Sequence, residues 1–211
     1  MLTLLKNFFT VLILSSSINL WSDENPYNFI DSNAQKMVIV LKENKSLFLE
    51  DRQLYEQKIK EIFEPMIDFR RVAATVMGKK YYLASSKEQR AEFVVIFKDS
   101  LLDTYAETLA QWENQTITTI FPEDMEIQNN NLKNIEVQQT LNTGSSKYPI
   151  SYKLRKNKDN SWSIVNIIVN GVNLGLTFRN QFQALAIKNN GNIESTLDGW
   201  VSDEGDAEIS G

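Results

Sequence analysis

The stretch VNLGLTFRNQF, Val172 to Phe182, decides where sheet gives way to helix in this chain. Val172, Leu174, Leu176 and Phe178 fall on alternate positions, Asn173, Gly175 and Thr177 lie between them, and the chain turns basic at Arg179. Period two is the repeat of a strand with one buried face, so the spacing predicts a strand to Phe178 and a helix opening at Arg179. An apolar strand face ordinarily meets a hydrophobic core; the other possibility is a ligand cavity.

Upstream the same period continues. Ile117, Thr119 and Phe121 form one alternating set, Ile135, Val137, Gln139 and Leu141 a second, and Ile150, Tyr152 and Leu154 a third. NTGSSKYP and KNKDNS supply turns, and WSIVNIIVNGVNLGLTF reads as one bent strand broken near Asn170-Gly171 or as two shorter ones. Before Gln115 the repeat is helical. Phe29, Ile30, Asn33, Met37, Val38 and Leu41 give one helix, and Leu54, Ile59, Ile62 and Phe63 a second. A short third helix is capped by Asp68 and closed by Gly78. SSKEQ holds two overlapping capping boxes, Ser85 with Glu88 and Ser86 with Gln89, ahead of a long helix to about Trp112. RNQFQALAIKNN and GNIESTLDGW close the chain as helices. Helices followed by a run of strands predict an α+β fold, a curved antiparallel sheet of about four to five strands covered by helices.

Lys6, the apolar run FFTVLILSSS and the polar WSDENP form a signal-peptide pattern. The expected organisation is a signal peptide over 1–22, a single α+β domain over 23–201 and an acidic disordered tail over 202–211. Cysteine is absent, which removes disulfides and thiol chemistry; histidine is absent, which removes the commonest general base and most zinc sites. Loss of Lys6 with the leader takes the formal charge from −5 to −6, which argues against a nucleic-acid partner. No Gly-rich phosphate loop, paired metal-ligand motif or Gly-x-Ser-x-Gly elbow occurs. An enzyme would have to work with carboxylates or lysines alone, and capping and solvated helix faces already explain carboxylates such as Asp68 and Asp103. The feature in excess is aromatic and aliphatic: 11 Phe, 7 Tyr and 4 Trp. A helix stripe and a curved sheet can enclose a core or splay apart around a ligand.

Two segments resemble a known family. IDFRRVAATVMGKKYYLASSKEQRAEFVVIFKDSLLDTYAETLAQW matches the toluene-tolerance, or MlaC, family of the Mla pathway at Asp68, Phe69, Ala73, Gly78, Tyr82, Ala84, Ser85, Gln89, Arg90, Phe93, Phe97, Leu101, Tyr105 and Ala106. WSIVNIIVNGVNLGLTFRNQF is similar to that family's Trp-to-Gln-Phe segment, and Gly191, Ile193 and Leu197 match its last helix. The chain departs from the pattern at Asn166 for Asp, Asn173 for Ser, Phe178 for Tyr and Ile67 for Phe. The resemblance runs from about Ala34 to Leu197.

It implies a periplasmic phospholipid-binding protein, not an enzyme, whose sheet and helices enclose the acyl chains in an apolar pocket. Lipid would pass between an inner-membrane ABC-transporter complex with an MCE-type subunit and an outer-membrane lipoprotein/porin complex, maintaining outer-membrane lipid asymmetry. Phospholipid is then cargo and no cofactor is implied. Carried onto this sequence, Val172, Leu174, Leu176 and Phe178 form part of the pocket floor. Val76, Phe97, Leu101 and Tyr105 form the opposing wall, Val72, Val137 and Tyr152 complete the lining, and Arg179 either approaches the headgroup phosphate or makes a helix-start ion pair with a nearby carboxylate. Leu176→Arg is expected to fold yet lose lipid, since a charge is not buried unpaired among acyl chains. The competing readings are a carboxylate-dependent enzyme and a protein-interaction module with a plain core.

Overall fold

The structure, a computed structural model, describes residues 25–123 and 132–200. The expected leader and acidic tail lie outside them. Helix α1 (Pro26–Glu43) is capped by the Asn25 side chain, which accepts from the Tyr27 and Asn28 amides, with Pro26 in the first turn. A short α2 (Leu47–Glu50) and α3 (Arg52–Phe63) follow, then a single 3-10 turn over Glu64–Met66. Helix α4 (Phe69–Ala84) is capped by Asp68, whose Oδ1 accepts from the Arg71 amide at 3.0 Å.

Gly78 closes only the first segment of α4. At φ 69° and ψ 163° it breaks the helix, and a second segment resumes to Ala84. That backbone conformation is open to glycine and strained for any other residue. Of the two capping boxes the Ser86–Gln89 pair forms, opening α5 (Lys87–Ala110). The Ser85 hydroxyl instead donates to the Tyr81 carbonyl at 2.6 Å. Arg90 reaches back from α5, donating to the carbonyls of Tyr82 and Ser85 at 2.8 Å each, its guanidinium 4.1 Å from the Tyr82 ring centroid. The Tyr-Ala-Ser…Gln-Arg spacing is therefore a helix-to-helix joint.

Five strands follow in sequence order, β1 (Thr116–Ile120), β2 (Asn134–Asn142), β3 (Lys147–Lys156), β4 (Trp162–Val169) and β5 (Val172–Asn173), all pairing antiparallel. Asn170 and Gly171, both at positive φ, make the two-residue turn from β4 to β5. The predicted α+β class and antiparallel sheet are what the structure contains.

The strand predicted through Phe178 is corrected. Only Val172 and Asn173 pair, and α6 runs over Leu174–Lys188, followed by α7 (Ile193–Asp198). Asn173 caps α6, its Oδ1 accepting from the Leu176 amide at 3.1 Å. Leu174, Phe178 and Phe182, four apart, then share one helical face while Leu176 points away and is 53% exposed. The alternation was real in the sequence, but the i, i+4, i+8 repeat behind an Asn cap prevails.

Candidate functional site

The apolar side chains segregate. In the helical layer α4, α5, α6 and α7 bring together Val76, Phe93, Phe97, Phe178, Phe182 and Trp200, each 5% exposed or less. Three of their ring contacts are edge to face, with centroids 4.8 Å apart for Phe93–Phe182, 5.5 Å for Phe97–Phe178 and 5.5 Å for Phe93–Trp200. A second cluster lies on one face of the sheet, where Val137, Leu154, Trp162 and Ile164 are buried against Tyr27, Phe29, Ile30 and Met66. Among the described residues Ile67 alone packs against both clusters. A third, smaller cluster joins α1, α3 and α5 through Leu41, Tyr55, Ile59 and Ala106.

The sheet's apolar face is covered unevenly: Gln139 and Ile150 are buried, while cover thins at Tyr152 and toward the end of β4 and β5. Val137 pairs with Tyr152 and Tyr152 with Ile167; Ile150 pairs with Val169 and Val169 with Val172. One extra residue at Val165 shifts the register, which keeps Ile164 and Ile167 on the same face although they are three apart. Val137 and Leu154 are fully buried, whereas Tyr152, Ile167, Val169 and Val172 are only half-buried. Desolvation pushes the Tyr152 phenol well above the usual tyrosine range, so its surroundings are apolar even though its neighbours do not fully cover it.

Gln139 sits in the same register and is fully buried. Its Nε2 donates to Thr119 Oγ1 at 2.8 Å, and the Thr119 hydroxyl donates to Asp31 Oδ1 at 2.7 Å. Gln139 Oε1 has no partner among the described residues. A polar residue at a core-facing register position was the available sequence signal.

Where α4 and α6 run side by side, Val72, Thr75, Val165, Asn166, Asn173, Gly175, Leu176 and Arg179 line an open recess of about 180 Å³. Asn166 locks its floor: its Oδ1 accepts from the Gly175 amide at 3.1 Å and its Nδ2 donates to Asn173 Oδ1 at 3.0 Å. A Cβ on Gly175 would lie 2.5 Å from Asn166 Oδ1, so any larger residue there pushes the Asn166 side chain out of this bond. The recess is smaller than the roughly 300–1,000 Å³ of pockets that enclose drug-sized ligands. It has room for a polar group such as a phosphate, beside the Arg179 guanidinium, and none for acyl chains.

The residues singled out from the sequence are thus divided among these places. Val76, Phe97, Leu101 and Phe178 are in the helical core, with Val72, Tyr105 and Leu174 packed against it. Val137 and Tyr152 are on the sheet, Val172 is on its edge strand, and Leu176 and Arg179 are at the recess. The carboxylates do not converge: Asp68 is held in its cap and by Arg71 Nε at 3.1 Å, and Asp103 is exposed on α5. No group of three or more acidic metal-ligating residues occurs among the described residues, and none of their helices is long and apolar enough to cross a membrane.

The family model described as MlaC protein matches residues 31–202. Toluene tolerance protein ttg2D of Pseudomonas putida is 26% identical over 203 residues, covering 96% of this chain and 92% of that one. The intermembrane phospholipid transport system binding protein MlaC of Haemophilus influenzae is also 26% identical over 203 residues, covering 93% and 85%. The fold is similar to that of a phospholipid-binding protein from Ralstonia solanacearum solved in complex with a phospholipid. There the TM-score is 0.73 at 22% identity, covering 83% of this chain and 94% of that one.

Proposed function

This chain belongs to the MlaC family, and from that premise we propose that it is a periplasmic phospholipid carrier, exported by its N-terminal leader, that shuttles lipid between inner-membrane and outer-membrane Mla complexes. The observation that supports this best is the half-covered apolar face of the sheet around Tyr152, whose cluster shares only Ile67 with the helical core among the described residues. A diacyl phospholipid exposes about 30 methylenes, and at roughly 0.8 kcal/mol for each its transfer into water costs on the order of 20 kcal/mol. A carrier must offset nearly all of that with apolar surface free of charge. Tyr152, Ile167, Val169 and Val172 offer such a surface without an ionised group among them.

In this reading the acyl chains lie between the sheet and the helical layer, and the headgroup phosphate lies at the recess beside Arg179. The packed aromatic cluster of the helices is scaffold, which reassigns Phe97, Leu101 and Phe178 from lining to support. The protein carries cargo and makes no bond to it. Native mass spectrometry of the protein purified from a bacterial periplasm without detergent tests this. A stoichiometric adduct of phospholipid mass is expected; a bare polypeptide mass would overturn the carrier reading.

A further inference from the structure

Two helices that pack side by side, α4 and α6, hold six basic residues and no acidic one, in a chain whose formal charge is −5. Arg70, Arg71, Lys79 and Lys80 come from α4, Arg179 and Lys188 from α6. All six are exposed, and Arg71 is the one that forms an ion pair, with Asp68, among the described residues. The two helices meet closely. A Cβ at Gly78 would stand 3.2 Å from Gln183 Nε2 and 3.3 Å from Arg179 Nε, and the Tyr81 and Phe182 rings are 5.9 Å apart.

The same pair exposes three large aliphatic side chains, Leu83 at 65%, Leu176 at 53% and Ile187 at 69%. Exposed aliphatics scattered singly need no explanation, but here they are interspersed with cations of which only Arg71 has a carboxylate partner among the described residues. The recess opens between these helices, with Leu176 and Arg179 on its rim.

We infer that the α4–α6 face is an electrostatic docking surface for an anionic phospholipid bilayer. The inference rests on the carrier reading, since it puts the recess proposed for the headgroup on the side that meets the membrane. The opposite charge is what the face fits: each Lys or Arg near an anionic surface adds to the attraction, and aliphatic side chains of this size settle at headgroup depth. A fluid anionic surface suits these cations better than an acidic protein does. They sit on long side chains, mostly with no ion-pair partner to fix them, and neither helix turns a tyrosine or tryptophan fully outward to anchor a protein hot spot. The net negative charge of the chain as a whole then favours approach to the bilayer by this basic face.

The test is co-sedimentation of the full mature protein with vesicles of phosphatidylethanolamine and phosphatidylglycerol, against vesicles of phosphatidylethanolamine and phosphatidylcholine. Binding is expected to the anionic vesicles alone and to weaken severalfold between about 50 and 300 mM salt. The double variant K79E/K188E, which leaves the recess untouched, is expected to bind about tenfold or more weakly, with the circular dichroism and the lipid mass of the parent protein. Three results would overturn the inference: equal or absent binding to both vesicle types, an unaffected double variant, or retention on polyglutamate beads without vesicle binding, which assigns the face to an acidic protein. The lipid adduct in native mass spectrometry is read separately, so the carrier reading stands or falls on its own result.

Discussion

Phe93 in the helical layer and Tyr152 on the sheet are both aromatic side chains in apolar surroundings, and they are covered to very different degrees. Phe93 has no exposure and touches the rings of Phe97, Phe182 and Trp200. Tyr152 is desolvated enough to hold its proton tightly, yet its neighbours leave it half-buried. A close-packed core loses stability with every methylene removed, whereas a surface kept for cargo has fewer partners to lose. Packing therefore separates close-packed core from partly covered surface where hydrophobicity alone does not.

The largest expected effect lies in the helical layer. Leu197, 2% exposed on α7, should cost about 2–5 kcal/mol when replaced by Ala, measured by urea denaturation of lipid-free protein. Gly78→Ala should cost about 1–3 kcal/mol, because φ 69° with ψ 163° strains any side chain whatever room it has. Adding Gln183→Ala should recover little of that, the cost being in the backbone. Substantial recovery would mean the crowding at Gln183 Nε2 is what glycine relieves.

The same truncation on the sheet should matter less. Ile167→Ala is expected to cost about 1 kcal/mol in lipid-free protein, because a half-covered side chain leaves little cavity behind. It should also lower the lipid content seen by native mass spectrometry. A loss as large as that of Leu197→Ala would erase the contrast and return the sheet face to ordinary core.

How much of this was legible depends on which physical signal each residue carried. The Ser86–Gln89 box, the Asp68 cap and the period-two strands are local, and they appear where their patterns put them. Residues 172–178 carried two periods at once. Tertiary packing chose the helical one, because Leu174, Phe178 and Phe182 on one face meet the aromatic cluster, while a strand would have left Phe182 out of it. The candidate lining was drawn from apolar periodicity, which says that a side chain is turned inward and not what it finds there. Hence Phe97 and Tyr152 looked equivalent. The Gln139–Thr119–Asp31 chain needed contacts between residues as much as 88 apart in sequence, and only Gln139's place in an apolar register hinted at it. The basic pairing of α4 with α6 was likewise hidden, since the two helices are separated by the whole sheet in the sequence.

Tyr55 supplies the smallest and most specific contrast with Tyr152. It is fully buried between α1, α3 and α5, edge-on to Phe48 at 5.5 Å, and its hydroxyl has no partner among the described residues. Desolvation pushes its phenol up from 10.0 to about 12. Below pH 10 the folded and unfolded chains both keep this proton, and the group gives stability no pH dependence. Between pH 10 and about 12 only the unfolded chain releases it, so stability falls as pH rises through that window. Tyr55→Phe should remove that part of the alkaline slope. At neutral pH it should leave stability unchanged or raise it by up to about 1 kcal/mol, because it deletes an unpaired buried hydroxyl. The alkaline slope that survives belongs in part to Tyr152, whose phenol is also raised. Urea titrations of Tyr55→Phe and Tyr152→Phe across this range separate the two. Equal sensitivity of both slopes to bound lipid would place Tyr55 on the cargo side as well; sensitivity of the Tyr152 part alone would locate the cargo at the sheet.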